Sequence, residues 1–354
     1  MSMLDINSKV ESGQAGQTAK VGGGLLTLIV PAFNEQQGLP AFHGRLASVL
    51  DSLAMESEII YINDGSRDDT LRIIRVLREN DPRIAILDLS RNFGKEVAMT
   101  AGLEHARGDA VIIIDADLQD PPELIPELVR HWREGWDVVY AQRVARRGET
   151  LLKRITACWF YRIIHHVGMV SIPENAGDFR ILSRRAVDSL LQLKERHRFM
   201  KGLFTWIGYP QKGIPYQRDP RFAGRTKWDY WRLWNFALEG ITSFTTAPLK
   251  WATYLGLLTA LAAFIYGSVI ILQKLLYGNP VKGYPSLMVA ILFLGGVQLV
   301  FLGIIGEYLG RMFDETKRRP LYFLSSFEPA RRTEQNPFPA TGHSIPHPYA
   351  GQGE

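Results

Sequence analysis

The sequence predicts an α/β fold: a mainly parallel sheet, followed by amphipathic helices at a membrane interface and a two-helix transmembrane hairpin. Three observations predict it. Short β-branched runs alternate with helix-spaced segments through the first half of the chain, the runs are almost wholly apolar, and two long stretches of the last third carry no charge. Strands alternating with helices of this length build βαβ units and a parallel sheet. Their runs are continuously apolar because both faces of such a sheet are covered.

In chain order, residues 1–24 are polar and rich in Gly, Ser and Gln, without an apolar h-region; they are expected to be a disordered leader and not a signal peptide. A domain over residues 25–226 follows. Its predicted strands are Leu26–Val30, Glu58–Ile62, Ile84–Leu87, Ala110–Ile114 and Val138–Ala141, and its predicted helices span about 38–54, 68–80, 95–107 and 121–134. The last helix has a full start signal: Asp120 at the N-cap, Pro121 at the first helical position and Glu123 at capping-box spacing.

Residues 227–248 carry Trp228, Tyr230, Trp231, Trp234, Phe236 and Phe244 interleaved with Lys227, Arg232 and Glu239, which suits a helix lying in the headgroup layer. No charged residue lies between Lys250 and Lys274, or between Lys282 and Glu307. Roughly 20 apolar residues cross a bilayer core, so spans are expected at about 251–273 and 286–306, within residues 249–310. Arg232 and Lys250 precede the pair and Arg311, Lys317, Arg318 and Arg319 follow it, against Lys274 and Lys282 in the connecting loop. The positive-inside rule therefore places the domain and the 311–354 tail in the cytoplasm. Pro, Gly and polar residues from about Glu328 onward predict partial disorder in that tail.

Composition removes several classes. Lys+Arg number 41 and Asp+Glu 36, a net charge of +5 that is too mild to imply nucleic-acid binding. The single cysteine, Cys158, excludes an intrachain disulfide and a Cys-rich zinc site, and fits a cytosol-facing domain. Among Ala157, Trp159 and Phe160 it reads as a small buried hydrophobe. His165 and His166 point to different sides of a helix and read as structural or interfacial. No P-loop, dinucleotide fingerprint or Ser-His-Asp order occurs.

The chemistry gathers at strand ends. The fourth run opens into Asp115-Ala-Asp117-Leu-Gln119-Asp120-Pro-Pro. Two carboxylates at i and i+2 there lie at the edge where open α/β sheets bind ligands. Hard divalent cations take oxygen donors and keep phosphate oxygens in their shell, so this pair suits Mg2+ or Mn2+ bridging a diphosphate. The first run ends in Pro31-Ala-Phe33-Asn34-Glu35 and the second in Asn63-Asp64-Gly65-Ser66-Arg67-Asp68. Asp64 reads in two ways: as a partner for a base or ribose, with Gly65 letting backbone approach a ligand, or as an Asx-turn capping the helix that starts near Asp68.

Together these turns resemble the family-2 glycosyltransferases, whose fold is the Rossmann-like GT-A sheet, and within them the dolichol-phosphate mannose synthase-like group that acts on polyprenyl phosphates. Through Leu89-Ser-Arg-Asn-Phe-Gly94-Lys95, Asn175-Ala-Gly-Asp-Phe-Arg180, Arg198-Phe-Met-Lys-Gly202, Ala223-Gly-Arg-Thr-Lys227-Trp, the hairpin and Gly306-Glu-Tyr-Leu-Gly-Arg311, the chain is similar to the bacterial bactoprenol (undecaprenyl-phosphate) glucosyltransferases. The resemblance covers about residues 25–325.

It implies that Pro31, Phe33, Glu35 and Asp64 surround the donor nucleoside, and that Asp115, Asp117 and Gln119 hold the metal and through it the diphosphate. Phe33 stands where many members have Tyr, and Asn63 where many have Asp. Arg143, Arg221 and Lys227 would neutralise diphosphate or acceptor phosphate, as an Arg fork and a Lys point charge do. Asp178, in Gly177-Asp178-Phe179-Arg180, matches the family's catalytic base. An acceptor monophosphate has a second pKa near 6 and is already largely anionic, so Asp178 reads equally as a group that positions the acceptor or the sugar hydroxyls. Lys153 and Arg154 suit an anionic lipid headgroup, or a solvated helix face.

The expected activity is inverting transfer of a hexose from a nucleotide sugar to undecaprenyl or another polyprenyl phosphate, with glucose and UDP-glucose the leading pair. It would take place at the cytoplasmic face of the bacterial inner membrane, with Mg2+ or Mn2+, in a homo-oligomer such as a tetramer. The alternatives are the same chemistry with GDP-mannose or UDP-galactose, and a non-catalytic membrane scaffold. Two spans are too few for a polymer channel and no Q-x-x-R-W motif occurs, which speaks against a processive synthase.

Overall fold

The computed structural model describes residues 24–144, 173, 176–217, 247–277 and 283–331. Among them, eight strands form one sheet: β1 (Leu25–Ala32), β2 (Glu56–Asn63), β3 (Ile84–Leu89), β4 (Ala110–Ile113), β5 (Val138–Arg143), β6 (Ala176–Ser183), β7 (Gln211–Tyr216) and β8 (Leu324–Glu328). Their order is β7-β5-β6-β4-β1-β2-β3-β8. The five runs expected from the sequence are β1 to β5. β1 pairs in parallel with β2 and β4, β2 with β3, and β5 with β7. β6 runs antiparallel to β4 and β5, and β8 antiparallel to β3. The expected α/β class with a mainly parallel sheet is the observed one.

Strand alternation divides the core in two. Leu26, Leu28 and Val30 of β1 share one face with Ile59 and Tyr61 of β2 and Ile84 and Ile86 of β3. Ile29, Ile60, Ile62, Ala85 and Leu87 share the other. The first face is covered by α1 (Leu39–Ser52), α2 (Thr70–Asn80) and α4 (Ile125–Arg133). In α1, Leu39, Phe42, Leu46 and Leu50 recur at helical spacing and are all buried against the sheet. The second face is covered by α3 (Lys95–His105), α5 (Arg184–Gln192) and α6 (Met200–Trp206). A Cβ at Gly102 would stand 2.5 Å from the Ile29 Cγ2, so α3 lies this close to β1 only because position 102 is glycine.

One start signal is not used as expected. A 3-10 turn, Pro122–Leu124, leads into α4, and Asp120 is not its cap. The Asp120 carboxylate is fully buried and accepts the Tyr216 hydroxyl, while Glu123 pairs with Arg45 at 2.7 Å. A buried tertiary partner for Asp120 has displaced the local cap.

The two uncharged stretches form α7 (Ala247–Tyr277) and α8 (Tyr284–Thr316). Trp251–Ile270 and Val289–Thr316 are long and apolar enough to cross a membrane, and neither is buried within the chain. Leu257, Phe264 and Leu299 are each about 70% exposed. Apolar surface this continuous belongs in lipid, where a helix satisfies its own backbone; the protein is membrane-associated. The end of α8 is tied to the sheet domain. Arg196 N donates to Glu315 Oε1 at 2.7 Å, and His197 Nε2 lies 3.2 Å from Asp314 Oδ2. The chain then returns to the sheet as β8, whose Glu328 pairs with Arg75 and Arg78.

Candidate active site

The register of β4 and β6 builds the centre of the site. Ile113 pairs with Arg180 in an antiparallel ladder, so two residues on from Ile113 and two back from Arg180, Asp115 comes opposite Asp178. Between them stands Lys95, the first residue of α3, reached through Gly94 at φ +97°. Its Nζ is 2.6 Å from Asp115 Oδ2 and 2.5 Å from Asp178 Oδ2. The Lys95 side chain keeps 40% of its surface, while both carboxylates are largely enclosed.

Asp64 holds the loop that delivers Lys95. Its Oδ1 accepts Phe93 N at 2.7 Å and its Oδ2 accepts Gly94 N at 3.0 Å. The close approach that Gly65 permits is to the chain itself: a Cβ there, at φ +62°, would stand 2.4 Å from Asn92 N. The Asx-type turn belongs to neighbours, since Asn63 Oδ1 accepts Ser66 N and Asp68 Oδ1 accepts Thr70 N. The first turn is laced to this one. Asn34, in the left-handed region at φ +56°, accepts Arg67 N through Oδ1, and Glu35 N donates to Thr70 Oγ1. Pro31 is half-buried and Phe33 is 43% exposed on the same turn.

On the other side, Asp117 accepts Gln119 N and Nε2 at 3.1 and 2.8 Å, around Leu118 at φ +60°. Arg143 Nε donates to the Tyr216 hydroxyl at 3.3 Å, and its guanidinium lies 3.4 Å from where a Gly177 Cβ would be, beside Asp178. Buried Asp120 completes this brace by accepting from Tyr216. Asp115, Asp178 and Arg143 are thus brought together, with Asp117 and Gln119 on the adjoining turn. Arg221, Lys227, Lys153 and Arg154, with Cys158, His165, His166 and the interfacial segment 227–246, lie outside the described residues.

Four charged residues here were assigned no role from the sequence: Lys95, Glu96, Arg180 and Lys201. Arg180 is buried, donates to the Gly177 carbonyl at 2.7 Å and lies 3.8 Å over the Phe204 ring. Glu96 Oε2 accepts Met200 N at 2.9 Å and fixes α6 to the site. Two signals were readable. A lysine at a helix N-terminus opposes the macrodipole preference, and both lysines stand inside motifs that carried the resemblance.

The electrostatics follow from enclosure. Burial works to raise Asp178, but the ammonium groups of Lys95 and Lys201 outweigh it and hold its carboxyl well below the ordinary range. Burial raises Asp115, which shares Lys95 with Asp178. Burial opposes the charge on Lys95, yet the two carboxylates hold its pKa above the ordinary lysine value. Glu96 is pushed up to about 7 by burial and then by Asp178, and burial lowers Lys201.

The donor set fits a hard divalent cation. Asp115, Asp117 and Asp178 offer carboxylate oxygens, and Asp178 Oδ1 is buried with no hydrogen-bond partner among the described residues. Among the described residues, no group of three or more His, Cys, Asp or Glu side chains closes a metal site alone. A cation here would complete its shell from a ligand's oxygens.

The sheet, its acidic edge and the apolar hairpin define a membrane-associated α/β enzyme. Residues 27–191 match the model of Glycosyl transferase family 2, and residues 247–312 match that of the GtrB C-terminal hairpin. An uncharacterized glycosyltransferase of Synechocystis sp. is 54% identical over 300 residues, 85% of this chain and 94% of its own. The bactoprenol glucosyl transferase of Shigella phage SfV is 49% identical over 301 residues, 85% of this chain and 98% of its own. The prophage bactoprenol glucosyl transferase homolog of Escherichia coli K12 is 49% identical over 299 residues, 84% and 98%. Among solved structures, glucosyl-3-phosphoglycerate synthase of Mycobacterium tuberculosis, in complex with Mn2+, UDP-glucose and phosphoglyceric acid, is 21% identical. That match covers 65% of this chain and 83% of its own, at a TM-score of 0.43. The chain belongs to glycosyl transferase family 2, and it is a glycosyltransferase.

Proposed function

We propose that the protein transfers glucose from UDP-glucose to undecaprenyl phosphate or a related polyprenyl phosphate, with inversion, at the cytoplasmic face of the bacterial inner membrane. The observation that carries this reading is a charged catalytic edge on a domain bound to a lipid-facing hairpin, through His197–Asp314 and Arg196–Glu315. A water-soluble donor and a membrane-held acceptor meet only in such an arrangement. The relatives named bactoprenol glucosyl transferase, matched over nearly their whole length, support the sugar and the lipid.

In this reading residues 25–226 and the tail face the cytoplasm, and residues 249–310 hold the two spans. Pro31, Phe33, Glu35 and Asp64 flank the nucleoside. Asp115, Asp117 and Gln119 would hold Mg2+ or Mn2+, which supplies positive charge at the departing diphosphate. A phosphate oxygen of the acceptor attacks the anomeric carbon as the bond from that carbon to the diphosphate breaks, and the diphosphate leaves with the electron pair. Arg143, with Arg221 and Lys227, offsets the phosphate charge. Lys153 and Arg154 meet the lipid headgroup.

Asp178 acts here by position. Lys95 and Lys201 hold it so acidic that it is a poor proton acceptor, and an acceptor phosphate with a second pKa near 6 needs none. The test is transfer of labelled glucose from UDP-glucose into polyprenyl-phosphate lipid by the full chain in detergent, with Mg2+ or Mn2+. Absence of label from UDP-glucose overturns the donor assignment, and absence of label from every sugar nucleotide overturns the transferase reading for this acceptor.

A further inference from the structure

Four cations surround Asp178: Lys95, Lys201, Arg143 and Arg180. Lys95 is neutralised by Asp115 and Asp178. Arg180 is spent on the Gly177 carbonyl and the Phe204 ring, and Arg143 is braced by Tyr216. Lys201 differs: it is only partly exposed, its charge acts on Asp178, and its Nζ makes no hydrogen bond or ion pair to any described residue. Among the described residues these four cations share the carboxylates of Asp115 and Asp178, and an incoming anion offsets the excess positive charge.

Its place in the fold says which anion. Glu96 holds the start of α6 at the site through Met200 N. Four and five residues before Lys201, His197 and Arg196 grip the end of α8 through Asp314 and Glu315. Lys201 therefore follows directly on a segment tied at one end to the membrane hairpin and at the other to Glu96, the neighbour of Lys95. A donor nucleotide comes from water to the turns of β1, β2 and β4. A phosphate carried on a lipid comes from the hairpin side.

We propose that Lys201, together with Arg143, receives the phosphate monoester of the lipid acceptor and holds it near Asp178 for attack. This rests on the polyprenyl-phosphate reading above. The shared chemistry is a phosphate oxygen, and the two possible sources are the acceptor monophosphate and the donor diphosphate. Lys201 contributes a point charge that tolerates a moving headgroup, where Arg143 contributes a fixed fork.

The test uses the full chain in detergent micelles, as wild type, Lys201→Gln and Lys201→Arg. Initial rates are measured with polyprenyl phosphate varied at saturating UDP-glucose and the reverse, and UDP binding with Mn2+ is measured by calorimetry. Lys201→Gln is expected to raise the acceptor KM about tenfold or more, with UDP affinity within about twofold and most of the acceptor KM restored in Lys201→Arg. An unchanged acceptor KM overturns the proposal. A parallel fall in UDP affinity also overturns it and assigns Lys201 to the donor diphosphate. If Lys201→Gln does not hold its fold, judged by its melting curve, Lys201→Met, which also removes the charge, is read in its place by the same criteria. If the wild type glucosylates no polyprenyl phosphate, the functional reading fails by itself. Calorimetric binding of farnesyl phosphate to wild type and Lys201→Gln then tests Lys201 separately, with equal affinity overturning it.

Discussion

Two charged networks of similar composition stand at opposite ends of the strands, and they are finished to different degrees. At the amino end, Arg83 donates to both oxygens of Asp81 at 2.8–3.0 Å and to Asp51 at 2.8 Å. His43 lies 3.6 Å from Asp81 and shares a hydrogen bond with the Tyr61 hydroxyl. Burial opposes the Asp81 charge but Arg83 outweighs it, so the carboxyl is lowered; burial also lowers His43. At the carboxyl end, Lys95 bridges two carboxylates while Asp178 Oδ1 and Arg180 Nε are buried with no hydrogen-bond partner among the described residues. A network closed on itself contributes stability. One left open holds its charges ready for a ligand and gives up stability to do so.

Substitutions can break or sharpen this contrast. The largest expected effect is at the open end: Asp117→Asn lowers the rate of glucosyl transfer by about 100-fold or more, with unfolding free energy changed by less than about 0.5 kcal/mol. Rates and denaturation measured on one preparation check both parts, and retained turnover would place the chemistry elsewhere. At the closed end the signs reverse. Arg83→Met strands the buried Asp81 carboxylate and costs about 3 kcal/mol, while turnover per folded molecule stays at the wild-type level; a matching fall in turnover would erase the distinction.

A smaller effect is expected at Lys95. Lys95→Gln removes the ammonium from between Asp115 and Asp178, so Mn2+ is expected to bind about tenfold more tightly in the absence of nucleotide. Titration calorimetry reads this directly, and equal affinity would show that the ammonium and the cation do not compete. The smallest effect is a pH slope. Glu96 titrates near 7 in the folded chain, against an ordinary value of 4.5. Between those values Glu96 binds more protons in the folded state, so its own contribution to stability is full below about pH 4.5 and falls away as pH rises through about 7. Glu96→Gln is expected to remove about 1–3 kcal/mol of that fall, read from unfolding midpoints across the window. An unchanged slope would assign it to another group.

Much of the molecule was legible from residue patterns. β1 to β5 and the helices between them follow from alternating apolar runs, and α7 and α8 from the lack of charge. The acidic turn at Asp115 was placed at the correct edge because the end of a parallel strand is where its loop must open. β8 was not legible: Leu324–Glu328 has no apolar run and becomes a strand only by pairing with β3 at the sheet edge. Asp120 was misassigned as a cap because its partner, Tyr216, lies 96 residues away.

The sequence by itself determined what is local or periodic: strand and helix identity, the membrane hairpin, and which residue types stand at strand ends. Tertiary structure decided which of those ends meet. The antiparallel return of β6 sets Asp178 opposite Asp115, and the loop held by Asp64 brings Lys95 between them. Sequence separations of 83 residues for Lys95–Asp178 and 104 for Glu96–Met200 leave no local signature. Such pairs are chosen by sheet register and by the cost of burying charge unpaired, and both terms exist only once the chain is folded.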